Sequence, residues 1–443
     1  MKRHLISVLL AAGLCCCSSD PTYTPPDADV TGDPDAAPDI PWDVPTDDTN
    51  PEVLGNIAGT VFSPASDLRY RFPIAQALVY LTRSEAPFIP RHVYCDKCVS
   101  LAPATPQAMT DSYGTFRIER IPEGEWNMVV QKGQFRRVRR ITVYGGRTVD
   151  IPQDMTTLPN RYDEGSMDTI PEIAVASGAY DWFEDLLAKF GLADLESDYH
   201  YKRGTEEFTL LGNGGQAFGM GVEDFKEFLR RPLETPDLND LHDFNVLFIP
   251  CTDGRHSDEV LAEPAVIENL RSFVEKGGKL YVADWSYDFL EQVFPDFIDF
   301  VGDDSNVGHA EEVIDDFWDT TGSIRNADLA SWLVALGHDP GSIEFLKSWV
   351  GVEATSVVPG IDEFGEPIDI TPEEVINGTV PGYGDKPLNV VFNYGCGKVL
   401  YTTYHTIGAL EVAPRPEMIP QEKILLYLIL DISVCADDIV IPI

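Results

Sequence analysis

The hydrophobic periodicity of this chain changes near residue 160, and that change limits the available folds more than any other feature. Between Gly55 and Thr157, short apolar or alternating runs follow one another, as in Ile57–Phe62 and Gln76–Thr82, with turn residues between them. This is the pattern of an all-β sandwich. From Ile170 onward, continuous apolar runs of strand length alternate with stretches of helical spacing. This is the pattern of a parallel sheet covered on both faces. The expected chain is multidomain, with a β-sandwich over 55–158 followed by a three-layer α/β domain over 168–443.

In the second domain the predicted strands are Ile170–Ala176, Asn245–Pro250, Lys279–Asp284, Leu388–Tyr394 and Gly397–Tyr404. Helices are predicted at Ala179–Phe190, Pro264–Lys276, Tyr287–Phe294 and about Gln421–Asp431. Trp182, Phe183, Leu186, Leu187 and Phe190 share one face of the first helix, and Gly191 stops it. Residues 300–385 read as an insertion with helices of its own, for instance Ala327–Leu336 and Ile343–Val350.

Charge divides the chain at the same place. The whole sequence carries −41, yet residues 55–158 hold 13 basic and 9 acidic side chains, against 17 and 54 in 159–443. So acidic a second domain repels phosphate backbones, which excludes nucleic acid as a partner. Solubility in a saline habitat is the plain explanation for it. The basic Arg136, Arg137, Arg139 and Arg140 are candidates to dock on the acidic domain or on an anionic envelope glycolipid.

The N-terminus bears on location. Lys2 and Arg3 precede an apolar run, Leu5–Leu14, which is too short to span a bilayer and ends in Cys15, Cys16 and Cys17. These residues resemble a bacterial lipobox, which implies a signal peptide over 1–17 and lipidation at Cys17, with Leu14 three residues before it. Cys15 and Cys16 depart from the small residues usual at the intervening positions. An ordinary cleaved signal is the alternative. By the same resemblance, the lack of Asp directly after Cys17 implies an outer-membrane lipoprotein, periplasmic or surface-exposed.

Residues 18–54 hold ten Asp or Glu, eight Pro and no Lys or Arg. A segment so poor in apolar groups cannot offset its ordering entropy, so a disordered acidic tether is expected. It would reach about 30–37 Å if flexible and roughly 115 Å if polyproline-like. Calcium binding by its Asp run lacks a glycine-turned loop with spaced carboxylates.

Within the sandwich, Asp111-x-x-Gly114-x-Phe116 and Pro122-x-Gly124 resemble the carboxypeptidase regulatory-like, or prealbumin-like, module. That resemblance implies a non-catalytic stabilising or adhesive role. Cys95-Asp-Lys-Cys98 has Val99 where a haem site needs His, so haem is excluded. Zinc held by both thiolates and His92 lacks an evident fourth ligand. A local Cys95–Cys98 disulfide is the default in an oxidising envelope. For Cys251, Cys396 and Cys435, pairing of the last two is the only suggestion.

The blocks Asp243–Pro250, Leu270–Asp284 and Gly397–His405 resemble the class I glutamine-amidotransferase-like fold, a flavodoxin-like three-layer arrangement that includes ThuA-like relatives. The family's nucleophilic cysteine sits on a strained strand-to-helix turn. Here that turn is Ala283-Asp284-Trp285-Ser286-Tyr287, which has no cysteine and carries bulky residues ill suited to such a bend. The family's His matches His405, but Ile407 stands where its acid belongs. The resemblance therefore implies a domain without glutaminase chemistry.

Two weaker catalytic sets remain: Cys251 with His405, oriented by Asp253 or Asp284, and Ser286 with His405 and Asp284. The expected function is a cell-envelope ligand- or glycan-binding, or adhesive, module. Its candidate pocket lies at the strand ends, from Asp253, Asp284, Trp285, Tyr287 and His405. The alternative is an envelope hydrolase using Cys251 or Ser286 with His405. No metal or cofactor is indicated. The expected partners are the membrane, through the lipid anchor, and an envelope glycan or protein.

Overall fold

The computed structural model describes residues 53–96, 101–178, 180–213, 223–233, 239–252, 254–302, 308–314, 316–406, 415–432 and 441–442. The signal-like segment, Cys15, Cys16 and Cys17, and nearly all of the acidic tether lie outside them. The described protein is β-rich, with several sheets and few helices.

The first strands are β1 (Leu54–Thr60), β2 (Leu78–Thr82), β3 (Gln107–Met109), β4 (Thr115–Pro122), β5 (Gly124–Lys132), β6 (Phe135–Val143) and β7 (Thr148–Asp150). They form a three-stranded sheet, β4-β1-β7, and a four-stranded sheet, β3-β2-β5-β6. Alternation sets the faces: Phe116, Ile118 and Ile121 of β4 are buried while Arg117 and Glu119 are exposed. The turn before β4 is built by Asp111, whose Oδ1 accepts from the amides of Tyr113 and Thr115, both at 2.9 Å. Gly114 completes it at φ +70°, where a Cβ would lie 2.7 Å from the Val61 carbonyl oxygen.

After the short helix α1 (Gln153–Thr156), the chain builds β8 (Ile173–Ser177), α2 (Phe183–Leu187), β9 (Thr209–Gly212), β10 (Glu223–Asp224) and α3 (Phe225–Leu229). Next come β11 (Val246–Ile249), α4 (Gly254–Leu261), α5 (Pro264–Glu275), β12 (Lys279–Ala283), α6 (Asp288–Glu291) and β13 (Ile298–Phe300). The following region supplies α7 (Ala310–Val313), β14 (Trp318–Ile324), α8 (Ala327–Ala335), β15 (Ile343–Ser348), β16 (Val352–Thr355), β17 (Val358–Ile361) and β18 (Pro367–Ile370). Last are β19 (Glu373–Val380), β20 (Gly384–Tyr394), β21 (Gly397–Thr402), α9 (Pro420–Ile432) and β22 (Ile441–Pro442).

Ten strands join in one sheet of order β10-β9-β8-β11-β12-β21-β20-β19-β14-β15. From β10 to β21 every pairing is parallel; from β21 to β15 every pairing is antiparallel. Every residue of β8, β11 and β12 is buried, as strands covered on both faces require. Pro264 opens α5, and Val266, Leu270, Phe273 and Val274 bury its inner face.

Two sequence expectations need correcting. Ile343–Val350, read as a helix, is strand β15: Ile343 and Phe345 are buried while Glu344 between them is exposed, a period of two. The supposed insertion therefore extends the main sheet, although Ala327–Ala335 is the expected helix.

The second correction concerns the disulfide. Cys95 is bonded to Cys396, 301 residues away, so neither the Cys95–Cys98 nor the Cys396–Cys435 pairing holds; Cys98 and Cys435 lie outside the described residues. Tight packing at the end of α5 explains the partner. A Cβ on Gly277 would lie 2.0 Å from the Tyr94 carbonyl oxygen, and the Cys396 amide donates to Glu275 O at 2.9 Å. Both cysteines are thus pressed against one helix end, and proximity in space overrides proximity in sequence.

From Glu52 onward the chain is one compact unit. Phe72 and Phe135 pack on Phe190, Trp332 Nε1 donates to Pro73 O at 2.9 Å, and Asn245 Nδ2 donates to His92 O at 2.6 Å. Two of the four arginines of β6 reach the segment leading to β8, where Arg137 and Arg139 both clamp Asp168.

Candidate functional site

Parallel strands deliver their C-terminal ends to one rim of the sheet, so the residues just after β11, β12 and β21 meet there. Cys251 follows β11, Asp284 follows β12, and His405 lies three residues beyond β21. All three are sealed from solvent, and one ligand atom of each lies within 4.8 Å of the others.

Asp284 holds φ +47°, a left-handed conformation that non-glycine residues seldom adopt. The strained strand-to-helix bend therefore exists, contrary to what its bulky neighbours suggested, and the strain falls on the aspartate. Its Oδ1 accepts from the amides of Trp349 at 2.9 Å and Val350 at 2.8 Å. Its Oδ2 lies 3.8 Å from Cys251 Sγ and 3.6 Å from His405 Nε2. His405 Nδ1 pairs with Thr406 O at 2.5 Å, which assigns the proton to Nδ1 and turns the Nε2 lone pair inward. Nε2 itself has no hydrogen-bond partner. Above the histidine, Trp349 stacks with ring centroids 5.9 Å apart, and Trp285 packs on Trp349 at 5.2 Å.

Burial sets the protonation. It pushes Asp284 up to about 8, against the pull of the Val350 and Trp349 amides, and holds His405 down at about 4. Burial, then the neighbouring Asp284, raises the Cys251 thiol. The His405–Asp284 contact is thus a neutral pair at pH 7, and a thiolate–imidazolium pair is disfavoured at both ends. The two amides that point into the site are already occupied by the chain's own carboxylate.

The other predicted residues separate. Ser286 is buried and donates to Pro250 O at 2.6 Å, which removes it from any set with His405. Tyr287 is fully buried, packs on Phe300 with centroids 5.0 Å apart, and accepts from the Ala310 amide at 3.2 Å. It is a core residue and offers no face to a sugar. Trp285 is half-buried in the aromatic cluster, and Asp253 lies outside the described residues.

Sequence reasoning missed Asp181, whose Oδ1 accepts from the amide and hydroxyl of Thr406 and whose Oδ2 is buried without a partner. It also missed Trp349 and Val350, which nothing in their local sequence sets apart.

No protein-family model matches the chain, and no curated protein matches it. Among solved structures, the chain is similar to a minor pilin of Streptococcus agalactiae at 17% identity, covering 24% of this chain and 44% of the pilin, with a TM-score of 0.16. A cytoplasmic protein from Salmonella typhimurium aligns at 12% identity over 59% of this chain and 99% of its own, with a TM-score of 0.33. A β-galactosidase from Bacillus circulans aligns at 14% identity over 53% of this chain and 28% of its own, with a TM-score of 0.25. The chain thus spans less than half of the pilin and of the galactosidase, and likeness this weak carries no functional argument.

Proposed function

We propose that this protein is a cell-envelope lipoprotein, anchored at Cys17 and lifted from the bilayer by its acidic tether. Its body joins a prealbumin-like sandwich to an amidotransferase-like domain of the ThuA-like kind and works as a non-catalytic ligand-binding or adhesive module. The parallel order β9-β8-β11-β12-β21, with a strained bend directly after β12, supports the amidotransferase-like reading. The observation that carries the non-catalytic reading is the complete burial of Cys251, Asp284 and His405. A substrate cannot reach a thiol and an imidazole that have no exposed surface, and burial holds both uncharged. Trp285, half-buried beside Trp349, is the aromatic residue left to meet a glycan.

The test is direct. The mature chain is expected to release no ammonia from glutamine and to resist activated-serine and thiol-directed probes. Binding on a glycan array that is lost in Trp285→Ala supports the module. Probe labelling that vanishes in His405→Ala overturns it in favour of the hydrolase using Cys251. Acyl labelling in a bacterial host that persists in Cys17→Ala overturns the anchor assignment.

A further inference from the structure

We propose that Cys251 Sγ, Asp284 Oδ2 and His405 Nε2 form a binding site for a divalent transition metal of the zinc class. The site stands independently of any ligand the protein binds elsewhere.

Spacing is the first argument. The Nε2–Oδ2 and Sγ–Oδ2 separations are 3.6 and 3.8 Å, and all three atoms lie within 4.8 Å. A direct hydrogen bond between them would draw nitrogen and oxygen to about 2.7–3.2 Å. Zinc bonds of about 2.3 Å to sulfur and about 2.0–2.1 Å to nitrogen and oxygen place tetrahedral ligands roughly 3.3–3.6 Å apart. The two sides at Asp284 need to contract by only a few tenths of an ångström, and the third, from Sγ to Nε2, is no longer than 4.8 Å and closes as the ion draws the three atoms in.

Orientation is the second and independent argument. The buried Nε2 of His405 has no hydrogen-bond partner, and the bond from Nδ1 to Thr406 O aims its lone pair into the triangle. Asp284 is held the same way: two backbone amides fix Oδ1 and leave Oδ2 facing inward. A second ring of bonds that fixes the tautomer and the carboxylate is what metal sites use to orient their ligands. Of the three, Asp284 alone holds a positive φ, +47°, a conformation that costs free energy and that a structural residue would not need.

Ligand chemistry selects the metal. One thiolate, one imidazole and one carboxylate form a mixed, borderline-soft set that suits zinc and disfavours magnesium or calcium, which prefer oxygen alone. Their two negative charges neutralise a divalent ion, so the loaded site is electrically neutral, as a buried site must be. The fourth position falls to an enclosed water.

The mature chain, desalted from EDTA and dialysed against excess Zn(II) at physiological salt, is expected to retain about one metal per chain by elemental analysis. Cys251→Ser and His405→Ala should each lose at least tenfold in zinc affinity against a chromophoric chelator. Co(II) loading of the unmodified chain should give a thiolate-to-cobalt charge-transfer band and intense tetrahedral visible bands. This readout needs no variant to fold. The proposal is overturned by less than a tenth of an equivalent of retained zinc. It is overturned equally by Co(II) binding without the thiolate band, or by metal that folded Cys251→Ser and His405→Ala hold as tightly as the parent.

Discussion

The sandwich and the strand-end rim of the large sheet are both β-rich and tightly packed, but they treat buried polarity in opposite ways. Among the described residues of the sandwich, the buried side-chain atoms lacking a hydrogen bond are Gln134 Oε1 and Arg136 Nε. Its buried Lys132 lies 3.5 Å from Asp431, and Arg137 and Arg139 meet Asp168. The rim and the helices beside it hold Asp181, Glu184, Asp288 and His405, all buried and each with at least one unpartnered atom. Leaving such a group unsatisfied costs about 1–3 kcal/mol. A region that accepts this cost several times over is not arranged for stability alone, and the described part of the sandwich accepts it less often. The contrast separates a scaffold from a site.

The largest effect expected bears on whether the two regions are really one body. Cys396→Ser removes a cross-link that closes a loop of 301 residues. It is expected to lower stability by about 2–5 kcal/mol, read as a fall in the denaturant midpoint under oxidising conditions. An unchanged midpoint would mean that the sandwich and the sheet stand without their staple, and the comparison would become one between independent domains.

Next in size is a pH effect that belongs to the rim side alone. Burial raises Glu184 to about 8, against the pull of its own backbone amide and of a 3.2 Å bond from the Ser177 hydroxyl. Between pH 4.5 and 8 the unfolded chain ionises this carboxyl while the folded chain keeps its proton. The unfolded state then binds fewer protons, so stability falls as pH rises and levels off above 8. The loss is on the order of 2–4 kcal/mol across that interval. Glu184→Gln keeps the acceptor for Ser177 and should remove its share of that slope, leaving the share of Asp284 and Asp288, which burial also raises to about 8, measured by urea unfolding at pH 5 and pH 8. A slope as steep as the parent's would take Glu184 out of the pH dependence.

How much of this was legible in the sequence depends on how local the cause is. The strands β8, β11 and β12 and the helices α5 and α9 stand near their expected places because uninterrupted apolar runs and the Pro264 and Gly277–Gly278 signals are local. Cys251, Asp284 and His405 were legible as a group because strand ends share a rim in a parallel sheet. The Cys95 partner was not, since a spacing of three suggests a local bond and the true partner comes from a distant turn. β15 was misread because Ile343, Leu346 and Val350 stand at helical spacing, and the strand shows only once Glu344 is seen exposed between buried Ile343 and Phe345. The amides of Trp349 and Val350 were invisible for a deeper reason: backbone donors carry no residue signature.

A smaller effect tests the sandwich side of the contrast. Asp168 receives Arg137 at 2.9 Å and Arg139 at 2.8 Å, and the three side chains are largely buried. Asp168→Ala leaves both guanidinium groups without their carboxylate, for an expected loss of about 1–3 kcal/mol by denaturant titration. Asp168→Asn, which keeps an acceptor, should lose less. Equal losses would show that the clamp works through packing alone.

The smallest effect decides what the basic stretch is for. Arg136 is buried with Nη1 donating to Pro87 O, Arg137 and Arg139 are committed to Asp168, and only Arg140 stands in solvent, paired with Glu125 at 2.5 Å. A surface for anionic glycolipid needs several exposed cations at once, and three of the four arginines are already spent inside the protein. Arg140→Ala should therefore change stability by no more than about 0.5 kcal/mol, as exposed ion pairs do. It should also leave sedimentation with anionic vesicles unchanged at low salt, where surface attraction is strongest. Vesicle binding that Arg140→Ala abolishes would return this strand to the outside world, and the sandwich could no longer be called a scaffold.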